Sequence, residues 1–231
     1  MQIASELRLL SRDLFNVAAG SIILSGIATI LYASNGYVTS YASAEIILRN
    51  LFGSVSNEYI NWIYWIIMCI GYIVLLQLVW KRQVHTFELY QLIRFGSARW
   101  YWILKMMIGF IFTLYYIFCY LCSILIMSSY SGAPFHADIY WIKIFISLTL
   151  NLYVHACIWL LIKELYYVEI ANITIVSLFY MGVRLDHPYL PLYYSMIDHV
   201  SSMHPQILMA EFIVIAFIGF WIVYRANRVD Y

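Results

Sequence analysis

Charge is what this chain has least of. Asp, Glu, Lys and Arg together make up 11% of its 231 residues, and the net charge is +1. A soluble domain carries about a quarter charged and about half apolar residues. Here the apolar share is 64% and the mean hydropathy +0.80, which excludes a soluble core. No extended basic face exists to neutralise phosphates, so nucleic acid is excluded as a partner. Cysteine is scarce as well. Cys69, Cys119, Cys122 and Cys157 all lie inside apolar runs, whereas disulfides of secreted domains staple loops, so these read as reduced packing residues. Cys119 and Cys122 share a helical face, but two thiols are at most half a zinc site.

Catalytic signatures are missing too. The chain has no Gly-x-x-x-x-Gly-Lys-Ser/Thr phosphate loop, no Gly-x-Ser-x-Gly elbow and no His-Glu-x-x-His helix. It is therefore expected to be no enzyme, to hydrolyse no ATP by itself and to hold no cofactor. Asp186, His187, Asp198, His199 and His204, with Glu211, are zinc-ligand types, yet their spacing matches no metal motif, and no metal ligand is assigned.

What the chain does have is long apolar runs. A helical crossing needs roughly 20 apolar residues, and six candidates meet or approach that: about 15–33, 60–80, 103–127, 139–162, 168–183 and 207–224. The fifth is short and interrupted by Glu169 and Asn172. The expected fold is an all-α integral membrane protein, with one transmembrane domain over residues 1–231. Aromatic residues mark its interfaces: Trp62 and Trp65 open the second span and Trp80 closes it, while Trp100 and Trp102 open the third. Basic residues set the orientation. With the N-terminus inside, Arg8, Arg12, Lys81, Arg82, Arg94, Arg99, Lys105, Lys163, Arg225 and Arg228 are cytoplasmic, leaving Arg49, Lys143 and Arg184 outside. Both termini are thus expected in the cytoplasm.

Residues 1–14 lack the uninterrupted basic region and small-residue cleavage site of a secretory signal. Ile3, Leu7, Leu10 and Leu14 form one stripe at helical spacing, which predicts an amphipathic helix on the inner leaflet. The alternative is a cytoplasmic extension of the first span. Outside, two segments exceed turn length, about 34–59 and 184–206. The second holds Pro188, Pro191 and Pro205 among apolar and aromatic residues, and is expected to fold back against the membrane as short helices.

Polar residues within spans are costly and commonly functional. Ser21, Ser25 and Thr29 recur every four residues on the first span, as Lys143, Ser147, Asn151 and His155 do on the fourth. The first series reads foremost as tight packing through small side chains, with a substrate path as the alternative. Lys143 is expected to snorkel outward. Asn151 and His155 must either bond a neighbouring helix or line a wet path. Glu169 and Asn172 lie at the inner end of the fifth span and read as path or packing residues, and Glu169 has the simpler alternative of reaching the interface beside Lys163.

Between the second and third spans lies the one sizeable block of charge, residues 81–105. Phe87, Leu89, Tyr90, Leu92 and Ile93 make a short helix with an apolar side, followed by a break at Arg94-Phe95-Gly96-Ser97 and an aromatic-basic re-entry. The run Leu92-Ile93-Arg94-Phe95-Gly96-Ser97-Ala98-Arg99-Trp100, with Lys105 beyond it, resembles the corresponding loop in permease subunits of type-2 ABC exporters. The likeness is to small bacterial permeases that export or expel peptides, including bacteriocin self-immunity transporters. It covers about 15 residues in sequence and nearly the whole chain in topology.

The resemblance implies a location in the bacterial cytoplasmic membrane among membrane lipids, with a second permease subunit, identical or a sibling. It also implies a separate cytoplasmic ABC ATPase carrying the ATP and Mg. Residues 84–97 become a coupling helix in a groove of that ATPase. Glu88, Leu89, Leu92, Arg94, Phe95, Gly96, Ser97 and Arg99 form its coupling surface, and Glu88 and Arg94 pair across the interface. The alternative class is a non-transporting membrane protein that binds a lipid or antimicrobial peptide, or scaffolds a sensor.

Overall fold

The structure is a computed structural model and describes residues 2–34, 43–54, 61–80, 98–132, 139–185, 187–200 and 205–226. Every regular element among them is helical. Six helices are long and apolar enough to cross a membrane: α1 (Gln2–Ser34), α3 (Asn61–Trp80), α4 (Ala98–Tyr130), α5 (Ile139–Leu165), α6 (Val168–Leu185) and α8 (Pro205–Ala226). Hydrocarbon offers no water to backbone N–H and C=O groups, so each crossing segment must bond its own backbone, and helices do so. The six expected spans coincide with these helices.

Helix α1 departs from expectation at its start. The striped segment and the first span form one unbroken helix of 33 residues, about 50 Å long against a hydrocarbon core of about 30 Å. The striped segment is thus helical and continuous with the first span. The physical reason lies in the sequence, which places no proline anywhere in residues 1–34 to interrupt the hydrogen-bond ladder.

Helices α4 and α5 form the centre. Helix α4 packs on α1, α3, α5 and α8, while α5 packs chiefly on α4, α6 and α8, and α3 lies between α1 and α6. Of the most apolar stretch of each span, 78% is buried for α5 and 11% for α8, so α5 is the core helix and α8 the outermost. Aromatic hydroxyls knit α3 to α4: Tyr116 donates to the Met68 carbonyl at 2.8 Å, and Tyr72 and Thr113 bond at 2.7 Å.

One end of the bundle is capped by both long connections. Helix α2 (Ala44–Phe52) starts at Ser43, whose Oγ accepts the Ile46 N–H at 3.4 Å. It buries Ile47, Leu48, Leu51 and Phe52, and Phe52 meets Trp65 and Tyr120 edge-on. Across from it lie a 3-10 turn (Pro191–Ser195) and a single-turn helix, α7 (Ile197–Val200), which bury Leu192, Met196, Ile197 and Val200. The short helices expected there are present. One side chain joins the two connections. Asp198 Oδ2 accepts the Ser54 N–H at 2.7 Å, and its Oδ1 pairs with Arg49 Nε at 3.1 Å.

The two halves of that joint are unequal. The Arg49 side chain is 68% exposed, and an exposed ion pair contributes at most about 1 kcal/mol. A backbone amide on a carboxylate contributes about 1.5–3 kcal/mol. Asp198→Ala should therefore lower unfolding stability in detergent by about 2 kcal/mol, and Arg49→Ala by less than about 0.5 kcal/mol. Thermal unfolding of the two variants checks the order. Equal losses would place the joint's strength in the ion pair.

Candidate functional site

The central helix carries a polar stripe, and each rung meets a different element. Lys143 is exposed near the capped end. One turn deeper, Ser147 is fully buried, and its hydroxyl donates to the Tyr194 carbonyl of the 3-10 turn at 2.8 Å. Deeper again, Asn151 Nδ2 reaches Glu211 Oε1 of α8 at 3.5 Å. Last comes His155, with no exposed surface, stacked on Phe179 of α6 with ring centroids 4.3 Å apart. Four-residue spacing keeps all four on one side of the helix, so α5 must turn that side inward.

The hydrogen-bond roles within the cluster follow from its chemistry. His155 Nδ1 lies 2.8 Å from the Asn151 carbonyl. A carbonyl only accepts, so Nδ1 carries the proton and Nε2 is left as an acceptor. Among the described residues no hydrogen-bond partner reaches His155 Nε2 or Glu211 Oε2, although both are buried. An unsatisfied buried polar atom costs about 1–3 kcal/mol; here one lies on α5 where it meets α6, and one on α8 beside Asn151. His155 Nε2 is thus an acceptor that meets no donor among the described residues.

Glu211 was not expected to belong with this pair. In the sequence it stands 60 residues from Asn151 and reads as a possible companion of the outer His/Asp residues. The available signal was simple: it is the only carboxylate within the sixth span. The described members of that outer group have other engagements. Asp198 is engaged by Arg49 and Ser54, and His199 stacks on Tyr193 with centroids 4.0 Å apart. Asp186 and His204 lie outside the described residues, and no group of three metal-ligating side chains occurs among those described.

The other expected polar residues act within or between helices. Ser21 donates to the Val17 carbonyl, and Thr29 donates to the carbonyls of Ser25 and Gly26. Ser25 Oγ lies 2.9 Å from Ser123 Oγ, a bond between α1 and α4. Asn172 is half-buried, and its Oδ1 accepts from both Gln77 Nε2 and Trp159 Nε1, each at 2.7 Å, joining α6 to α3 and α5. Glu169 is exposed in the first turn of α6. Lys163 pairs with Glu164 at 3.0 Å.

Of the expected coupling residues, Glu88, Leu89, Leu92, Arg94, Phe95, Gly96 and Ser97 lie outside the described residues. Arg99 is exposed in the first turn of α4. The segment's two anchor points are well defined. Trp80, the last residue of α3, donates its indole N–H to the Lys105 carbonyl of α4 at 3.0 Å and stacks on Trp159 of α5 at 5.7 Å. Gly109 makes that contact possible, since any Cβ there would collide with the Trp80 ring. Buried Lys105 lies over the Trp102 ring, 4.6 Å from its centroid. Helices α3, α4 and α5 are thus tied together where residues 81–97 leave and return.

Removing the Asn172 acceptor strands two donors on two other helices. Asn172→Leu should lower stability by about 1–3 kcal/mol, while Ser25→Ala should lose roughly 0.6 kcal/mol, the average interhelical bond in a membrane protein. Unfolding in detergent measures both. An Asn172→Leu protein as stable as the parent would remove Asn172 from the joints that hold the bundle. No family model, no curated protein and no solved structure matches this chain.

Proposed function

We propose that the chain is the membrane-spanning subunit of an ATP-driven exporter. It would move peptides or other amphipathic compounds and draw energy from a separate cytoplasmic ATPase that docks on residues 84–97. A second permease subunit completes the path. The carrying observation is the Asn151–Glu211 pair at the contact between the most buried span and the least buried one, with buried His155 one turn along α5 from it. Two unpartnered polar atoms weaken a packed bundle and do nothing for it as packing. In a path they take hydrogen bonds from passing amide, ammonium or hydroxyl groups. The contact shown is then the closed arrangement, and withdrawal of α8 from α5 opens it.

Coupling rests on the resemblance of residues 92–105 and on the tie between Trp80, Lys105 and Trp159. A thrust on a loop between α3 and α4 is useful only if those helices move as one body, and this tie supplies that. In this reading the capped end faces outward, with residues 187–200 as a fold-back gate, and the N-terminal extension of α1 lies on the cytoplasmic side.

Three outcomes follow. Glu88→Lys and Arg94→Glu should insert normally, lose the co-purifying ATPase and cut ATP-driven export at least tenfold. Wild-type export from both would sink the coupling assignment, and absence of any stoichiometric ATPase would favour a non-transporting binder. In a protein whose native cysteines are replaced by Ala or Ser, a cysteine at Asn35 should react with an impermeant maleimide from outside, and one at Ser97 only in opened membranes. Outside labelling at 97 would reverse the orientation and remove the docking site. Lastly, Glu211→Gln and His155→Gln keep side-chain bulk while changing hydrogen-bonding character. Export should fall tenfold or change in substrate range, with melting temperature shifted by no more than about 2–4 °C, the equivalent of 1 kcal/mol in a chain of this size. A large melting shift with unchanged export per folded molecule would assign the cluster to packing.

A further inference from the structure

A groove of about 490 Å³ runs between α4 and α8, on the flank of the bundle. Its walls are apolar. Ile103, Met106 and Phe110 of α4 face Ile215, Gly219 and Val223 of α8. Met107 and Phe220, more than half exposed, form its rims, so it opens sideways where lipid would lie. The one polar wall residue along its length is Tyr153, whose hydroxyl donates to the Met106 carbonyl at 3.0 Å. Arg99 lines the end nearest Trp80 and Lys105, and has no ion-pair partner among the described residues. The last turn of α8 adds Arg225 two residues beyond Val223. From Arg99 to Ile111, the far end, α4 advances about 18 Å, close to one leaflet of a hydrocarbon core about 30 Å thick.

The geometry points to a binding site for one acidic phospholipid, its phosphate on Arg99 and an acyl chain in the groove between α4 and α8. Three features select this occupant. The cation stands at the mouth and the apolar wall extends one leaflet inward, the order in which a lipid presents phosphate and chain. An extended peptide would bury backbone N–H and C=O groups against a wall whose tyrosine is already engaged, at several kcal/mol for each unsatisfied group. The volume falls within the roughly 300–1,000 Å³ of small-molecule sites. The inference goes beyond transport and stands whether or not an ATPase docks.

The test is native mass spectrometry of the delipidated protein after exchange with phosphatidylglycerol or phosphatidylcholine of identical acyl chains. The parent should retain one phosphatidylglycerol at least tenfold over phosphatidylcholine. Arg99→Gln, at an exposed position, should bring the two within twofold. Gly219→Leu and Met107→Trp should abolish retention of either lipid, the first by filling the groove beneath Met106 and the second by closing its rim. Should Gly219→Leu fail to fold, Met107→Trp carries the test alone, since its side chain is largely exposed. Equal retention of the two lipids by the parent overturns the proposal, as does undiminished retention by folded Met107→Trp. A change of oligomeric mass in the groove variants, with lipid retention unaltered, would give the groove to a second copy and overturn it as well.

Discussion

A helix with Ser147, Asn151 and His155 at four-residue intervals cannot turn that side to hydrocarbon, where each polar group would lie unsatisfied. This constraint fixes α5 at the centre, and the rest of the bundle is arranged around its rungs. Ser147 takes the Tyr194 carbonyl and so seats the 3-10 turn. Asn151 takes Glu211 and so sets the rotation of α8. His155 stacks on Phe179 and so faces α6. Three elements from the last third of the chain are registered against one stripe. The remaining helices are joined by smaller devices, such as the Ser25–Ser123 bond and the double acceptor Asn172.

The spans were legible in the sequence because the signal is coarse and strong. Length and apolarity decide a crossing, and six crossings agree with six helices to within a few residues at most ends. Finer features depended on which force was visible. The stripe at Ile3, Leu7, Leu10 and Leu14 speaks for an apolar side but not for a bend, and without proline the ladder continues into the first span. Helix α2 escaped notice because nine residues within a loop give too short a period. Its signs were Ser43 as cap, Glu45 in the first turn and Arg49 one turn later.

The candidate site was half legible. Asn151 and His155 announce themselves as intramembrane polar residues, but their partner cannot be read from spacing, since the pairing of α5 with α8 is a matter of tertiary packing. The same limit applies to Asn172. Its two donors, Gln77 and Trp159, lie 95 and 13 residues away, so nothing local separates a path residue from a joint. Asp198 shows the reverse case. Among outer histidines and aspartates it resembles a metal ligand, and its surroundings instead make it the clasp between two connections.

These joints are unevenly distributed, and the unevenness bears on how the protein could move. Trp80, Lys105 and Trp159 hold α3, α4 and α5 together at one end, and Asp198 holds the two connections together at the other. Asn172 adds α6 to the same body. Helix α8 has none of these ties. It touches chiefly α4 and α5, is the least buried span, and its Asn151–Glu211 bond to α5 is long, at 3.5 Å. On its α4 side a groove interrupts the packing. A push delivered through residues 81–97 would therefore displace the tied body as a unit, and the slip would occur where resistance is lowest, along α8. In the exporter reading, that slip uncovers Asn151 and Glu211 without unpacking the core. A lipid chain in the groove would steady α8 from the other side, so the same seam that opens the path would also be the one the membrane can stiffen.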